Sequence, residues 1–102
     1  MVNVTFFVKG DFYVGFQIKG HAGYGTEGND IVCSAVSSAA YLTANNITDF
    51  FGIKADVTAS DGYMKLISED CAVSPHIDGL RVHLLQLQEQ YRKMIKVKIS
   101  EV

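Results

Sequence analysis

Two runs with a period of two open the chain and limit what it can become. Val2, Val4, Phe6 and Val8 alternate with other residues, and Phe12, Val14, Phe16 and Ile18 do the same after Lys9-Gly10-Asp11. Successive strand side chains point to opposite faces, so each run presents one apolar face. The glycine-containing turn between them predicts a β-hairpin lying on a core. The second run leads straight into Gly20-His21, which sets a histidine where a rigid strand gives way to a loop, a usual place for chemistry.

From Ala22 to Asn29 the chain is small, polar and rich in glycine, with Gly23, Gly25 and Gly28. Asp30, or Asn29 before it, suits the N-cap of a helix, because its side chain can accept from free backbone N–H groups. The predicted helix carries Val32, Val36, Ala40 and Ala44 on one stripe and fades around Asn45-Asn46. With Asp30 as cap, Cys33 falls in the first turn and Ser37 one turn further on the same face. Ile53, Ala55 and Val57 then alternate, and Asp61-Gly62 separates them from a run over Tyr63 to Ile67, a strong hairpin signal. Ser74-Pro75 opens a second helix, serine as N-cap and proline at the first helical position. Ile77, Leu80, Leu84, Leu87, Tyr91 and Met94 form its stripe, with Val82 and Leu85 beside it for a second surface. Ile95, Val97 and Ile99 alternate with lysines in a last strand. The order is ββαββαβ, an α+β domain with two helices packed on a mostly antiparallel sheet.

The 102 residues make one domain, 1–102, without linker, low-complexity tract or repeat. A formal net charge of -2 argues against an electrostatic grip on nucleic acid, so no direct nucleic-acid partner is expected. No signal peptide is read at the start, and no apolar run approaches the roughly 20 residues that span a bilayer. Two cysteines without repeated spacing make neither a disulfide framework nor a zinc site, so no metal or other cofactor is expected. The chain reads as cytoplasmic and reduced.

The chemistry lies in His21 to Ser38. A cysteine in the first turn of a helix is drawn toward thiolate by the backbone dipole, and a nearby histidine can hold the proton. On sequence position alone Cys33 is more often a small buried hydrophobe, a reading that its place in the first turn brings level with the nucleophile, and His21 is more often a surface histidine. Asp30 serves first as a helix cap, in competition with orienting His21. Ser37 either supports the thiol or bonds back to the carbonyl one turn earlier. The N–H groups at the start of the cysteine helix are candidate oxyanion donors. Gly23, Gly25 and Gly28 fit either a plain surface loop or a lid over a peptide. Cys71 has no cap, histidine or motif around it and reads as a bystander; His76 and His83 suit partly exposed helix positions.

Gly20-His21-Ala22, then Asp30-Ile31-Val32-Cys33-Ser34-Ala35, then Ser37, resembles the signature of the bacterial ribosomal-processing cysteine proteases. The element order matches that family over essentially the whole chain. The resemblance implies Cys33 as nucleophile, His21 as general base, and a homodimer. It also implies a narrow substrate, the N-terminal extension of the twenty-seventh protein of the bacterial large ribosomal subunit. Two other readings use the same residues: a non-catalytic, ribosome-associated peptide-binding module, and a thiol redox sensor.

Overall fold

The computed structural model describes residues 1–20 and 27–102; for residues 27–30 it describes the backbone alone. The elements are β1 (Val2–Lys9), β2 (Phe12–Lys19), α1 (Glu27–Asn45), β3 (Asp56–Ser60), β4 (Tyr63–Ile67), α2 (Ser74–Gln90) and β5 (Ile95–Glu101). A wide π-type turn, Asn46–Phe50, extends α1, and a 3-10 turn, Cys71–Val73, leads into α2. The expected ββαββαβ order stands. The strands form one sheet in the order β3-β4-β2-β1-β5. Every neighbouring pair is antiparallel except β1 and β5, which run parallel.

The first hairpin closes where Lys9 pairs with Phe12. Gly10 supplies the positive φ of 61° that the tight turn requires. Register then builds the core. Val4 faces Ile18 and Phe6 faces Phe16, and these face Met64 and Leu66 on β4. That apolar patch takes Val32, Val36, Ala40 and Ala44 from α1 and Ile77, Leu80 and Leu84 from α2, all of them buried. Small residues at 40 and 44 let α1 lie close to its neighbours. Each large aliphatic or aromatic side chain buried here contributes about 1.5–3 kcal/mol.

The second strand departs from strict alternation. The register shifts between Phe7 and Val8, which pair with Gly15 and Tyr13, so Val14 is an extra, bulged residue. The bulge reverses the phase of the residues before it. Phe12 is therefore 49% exposed rather than buried, and Tyr13 turns inward, edge-on to Phe6 with ring centroids 6.4 Å apart. The Tyr13 N–H donates to the Ser74 hydroxyl at 2.9 Å. Ser74 is thus not a helix cap: α2 starts at Ser74 itself, without a side-chain cap bond, although Pro75 lies in the first turn as expected. The α2 stripe also ends early. Its last helical residue is Gln90, so Tyr91 and Met94 pack on the core from the turn beyond it.

Ile53 and Ala55 precede β3 rather than forming it. They pack on the core as an irregular segment held by the buried Ser68, whose hydroxyl donates to the Lys54 carbonyl at 2.7 Å. Among the described residues, no helix is long and apolar enough to cross a membrane.

Candidate active site

The sulfur-bearing helix starts earlier than its sequence suggests. Because α1 begins at Glu27, Asp30 is its fourth residue and not its N-cap, and Gly28 is helical rather than part of a loop. Cys33 therefore lies in the second turn. Its N–H falls within the regular i to i−4 ladder, and the N–H groups that a helix start leaves open belong to the turn before it. The N–H groups at the helix start, expected as oxyanion donors, therefore lie a turn ahead of Cys33 rather than beside it. The helix pole, about 9 Å away along the axis at 1.5 Å per residue, also acts mainly on the first turn. His21, Gly23 and Gly25 lie outside the described residues, as does the Asp30 side chain.

Cys33 is half-buried and packs on the core from one side. Its other side lines a cleft of about 130 Å³. Ser37 and Tyr41, one and two turns further along α1, continue the same wall. The opposite wall is the β3–β4 turn, Ser60 to Met64. The floor comes from Val2 and Ile18, and Gly20 closes one end. The chain thus enters the cleft rim at the residue directly before His21.

Gly20 is fixed there by its backbone. Its φ is 104°, its N–H donates to the Gly62 carbonyl at 3.0 Å, and a Cβ at this position would sit 2.5 Å from the Met1 carbonyl oxygen. No residue but glycine fits both the dihedral and the space.

Ser37 is exposed to the cleft, and among the described residues its hydroxyl makes no hydrogen bond. Thr43 and Thr48 on the same helical stretch bond back to Ala39 and Ala44 at 2.8 and 3.0 Å. Ser37 lines the same cleft as Cys33. Cys71, by contrast, is exposed at the start of the 3-10 turn, away from the cleft. His76 packs against Phe51 with ring centroids 4.6 Å apart and planes tilted by 60°, and His83 is exposed on α2; both border a separate groove between the helices.

Sequence reasoning missed Tyr41 and the β3–β4 turn as parts of the site. Tyr41 was within reach, since Cys33, Ser37 and Tyr41 fall at successive steps of four on one helix face. The turn was not, because only strand order brings residues 60–64 next to residue 33.

Cys33 and Ser37 thus lie one turn apart on one helix face and open on a cleft beside the β3–β4 turn. Residues 1–96 match the family model described as cysteine protease Prp. The chain belongs to that family and is a cysteine protease. A crystal structure of the Streptococcus mutans protein SMU.848 superposes with a TM-score of 0.83 at 25% identity, covering 100% of this chain and 96% of that one. Two crystal structures of the essential ribosomal processing protease Prp from Staphylococcus aureus share the fold. One, in complex with a covalently linked product peptide, gives a TM-score of 0.87 at 24% identity. The other, with a substrate peptide, gives 0.89 at 23%, and each match covers 98% of this chain and 100% of that one. No curated protein matches significantly by comparison.

Proposed function

We propose that this cysteine protease removes the N-terminal extension of the twenty-seventh protein of the bacterial large ribosomal subunit, with Cys33 as nucleophile and His21 as general base. The observation that carries the reading is the cleft itself. It has Cys33 in one wall and, at its rim, Gly20, the residue that precedes His21. The S. aureus relatives described as ribosomal processing proteases support the substrate class.

In this mechanism the imidazole of His21 accepts the thiol proton of Cys33. The thiolate adds to the scissile carbonyl carbon to give a tetrahedral oxyanion. That intermediate collapses as the C–N bond breaks, and His21 returns its proton to the leaving amine. Water then attacks the thioester, His21 takes the water's proton, and the N-terminal fragment leaves with its new terminal carboxylate as the cysteine sulfur recovers a proton. In this reading the Ser37 hydroxyl, one turn along the same helix face, hydrogen-bonds to the thiolate. A neutral-pH histidine suits both halves of this cycle, since its ordinary range brackets neutrality.

The protein acts in the cytoplasm as a homodimer in this reading. Val82 and Leu85 on α2 and Ile99 on β5 are exposed apolar side chains that a second copy would cover. A peptide carrying an electrophile in place of the scissile amide tests the site. Covalent capture on Cys33 that spares Cys71 supports the enzyme; capture on both cysteines alike, or on neither, contradicts it.

A further inference from the structure

The two edges of the sheet are treated differently. At one edge the β5 backbone N–H of Val97 donates to the Gln88 side-chain oxygen at 2.8 Å, and Lys96 and Lys98 stand on either side of it. That edge is blunted in the usual ways, by a covering side chain and by charge. At the other edge all five residues of β3 are exposed, and among the described residues no strand pairs with its outer side.

The ladder fixes which groups point outward. Gly20 donates to Gly62 and Ser68 donates to Val14, which sets the even-numbered β4 residues as the ones bonded to β2. The odd-numbered residues Tyr63, Lys65 and Ile67 then bond to Ser60, Thr58 and Asp56 of β3. Val57 and Ala59 are left with N–H and C=O groups directed away from the sheet. Their side chains share the helix-covered face with Leu66 and Met64, yet Val57 is 42% exposed. No residue of β3 is buried, so the face that Val57 and Ala59 share with Leu66 and Met64 stays open along this strand. The strand ends at Ser60, which is itself part of the wall of the Cys33 cleft.

We propose that β3 receives the substrate as an added strand, with Val57 and Ala59 hydrogen-bonding an extended peptide and guiding it into the cleft. The inference rests on the reading of Cys33 as nucleophile in that cleft. Main-chain pairing supplies register with little demand on sequence, and the exposed Val57 side chain offers contact to alternate side chains of the peptide.

The test is a binding scan on Cys33→Ser protein, so that turnover plays no part. The probe is a fluorescein-labelled synthetic peptide covering the N-terminal extension of the twenty-seventh large-subunit protein, with single backbone amides replaced by esters. Expected are losses in affinity of roughly three- to tenfold at alternating positions, as for removal of single hydrogen bonds, with little change between them. Ala59→Pro, which removes an outward N–H while sparing the bonds to β4, should weaken binding similarly and leave iodoacetamide alkylation of Cys33 in the otherwise native chain unchanged. A scan without periodicity, no peptide binding, or wild-type affinity in Ala59→Pro overturns the proposal. So does a dimer-to-monomer shift in Ala59→Pro by light scattering, which would assign the edge to a second copy. Periodic binding to a protein that never cleaves the peptide would uphold strand addition and refute the catalytic reading instead.

Discussion

The backbone N–H of Gly20 donates to the carbonyl of Gly62 across 3.0 Å. The strand that leads into His21 is thereby tied to the turn that walls the cysteine cleft. Gly20→Ala is expected to strain this tie. A side chain at φ 104° would meet the Met1 carbonyl at 2.5 Å, and residues held in such backbone regions are disfavoured by about 1–3 kcal/mol. Urea denaturation should show a loss of at least that order, and peptide cleavage should fall with it. Unchanged stability and activity would mean that the Gly20 position does not organise the cleft.

Access alone ranks the two thiols the wrong way round for an enzyme. Cys71 is exposed and Cys33 half-buried, so simple accessibility favours modification of Cys71. If His21 activates Cys33, iodoacetamide near pH 7 should label Cys33 faster. Peptide mapping over time decides it, and faster labelling of Cys71 counts against an activated Cys33.

Tyr41 lies on the cleft wall with 49% exposure, so its ring is available to a bound peptide rather than to the core. Tyr41→Ala should leave stability within about 0.5 kcal/mol, as for surface substitutions, and raise KM several-fold. Leu84→Ala should do the reverse. That buried residue sits between α2 and the sheet, and its truncation should destabilise by about 2–5 kcal/mol while leaving KM near the wild-type value in the folded fraction. Thermal denaturation paired with steady-state kinetics separates the two effects.

Patterning exposed much of this fold because the strong signals were local. The β1–β2 and β3–β4 hairpins, the Val32-Val36-Ala40-Ala44 stripe and the Ile77-Leu80-Leu84 stripe each follow from spacing within one element. The features that escaped depend on partners far along the chain. The bulge at Val14 is stabilised by a hydroxyl at residue 74, the irregular stretch of Ile53 and Ala55 by a hydroxyl at residue 68, and the cleft needs residues 60–64 opposite residue 33. The start of α1 was misplaced for a different reason. Asp30 is a good capping residue by type, but Glu27, Gly28 and Asn29 are helical ahead of it, so residue type alone did not mark the helix start. At the site, Cys33 and Ser37 were legible as a pair at helical spacing, whereas their cleft was not.

The proposed homodimer has its own check. Light scattering over a wide dilution series should give twice the mass of the chain at micromolar concentration. Val82→Lys with Leu85→Lys, two exposed positions, should shift the protein toward monomer without unfolding it if the α2 surface is the contact. A monomeric wild type at every concentration contradicts the assignment.

Cleavage of the extended twenty-seventh ribosomal protein, followed by mass spectrometry of the products, bears most directly on the central claim. Wild type and Cys71→Ser should release the N-terminal extension. Folded Cys33→Ser should release none on the same timescale while still binding the protein, because a hydroxyl is a far weaker nucleophile than a thiolate. His21→Ala should be slower by roughly 10²–10⁴-fold, the usual contribution of a general base. Release of the extension at the wild-type rate by Cys33→Ser, verified as folded by circular dichroism, would contradict Cys33 as the nucleophile.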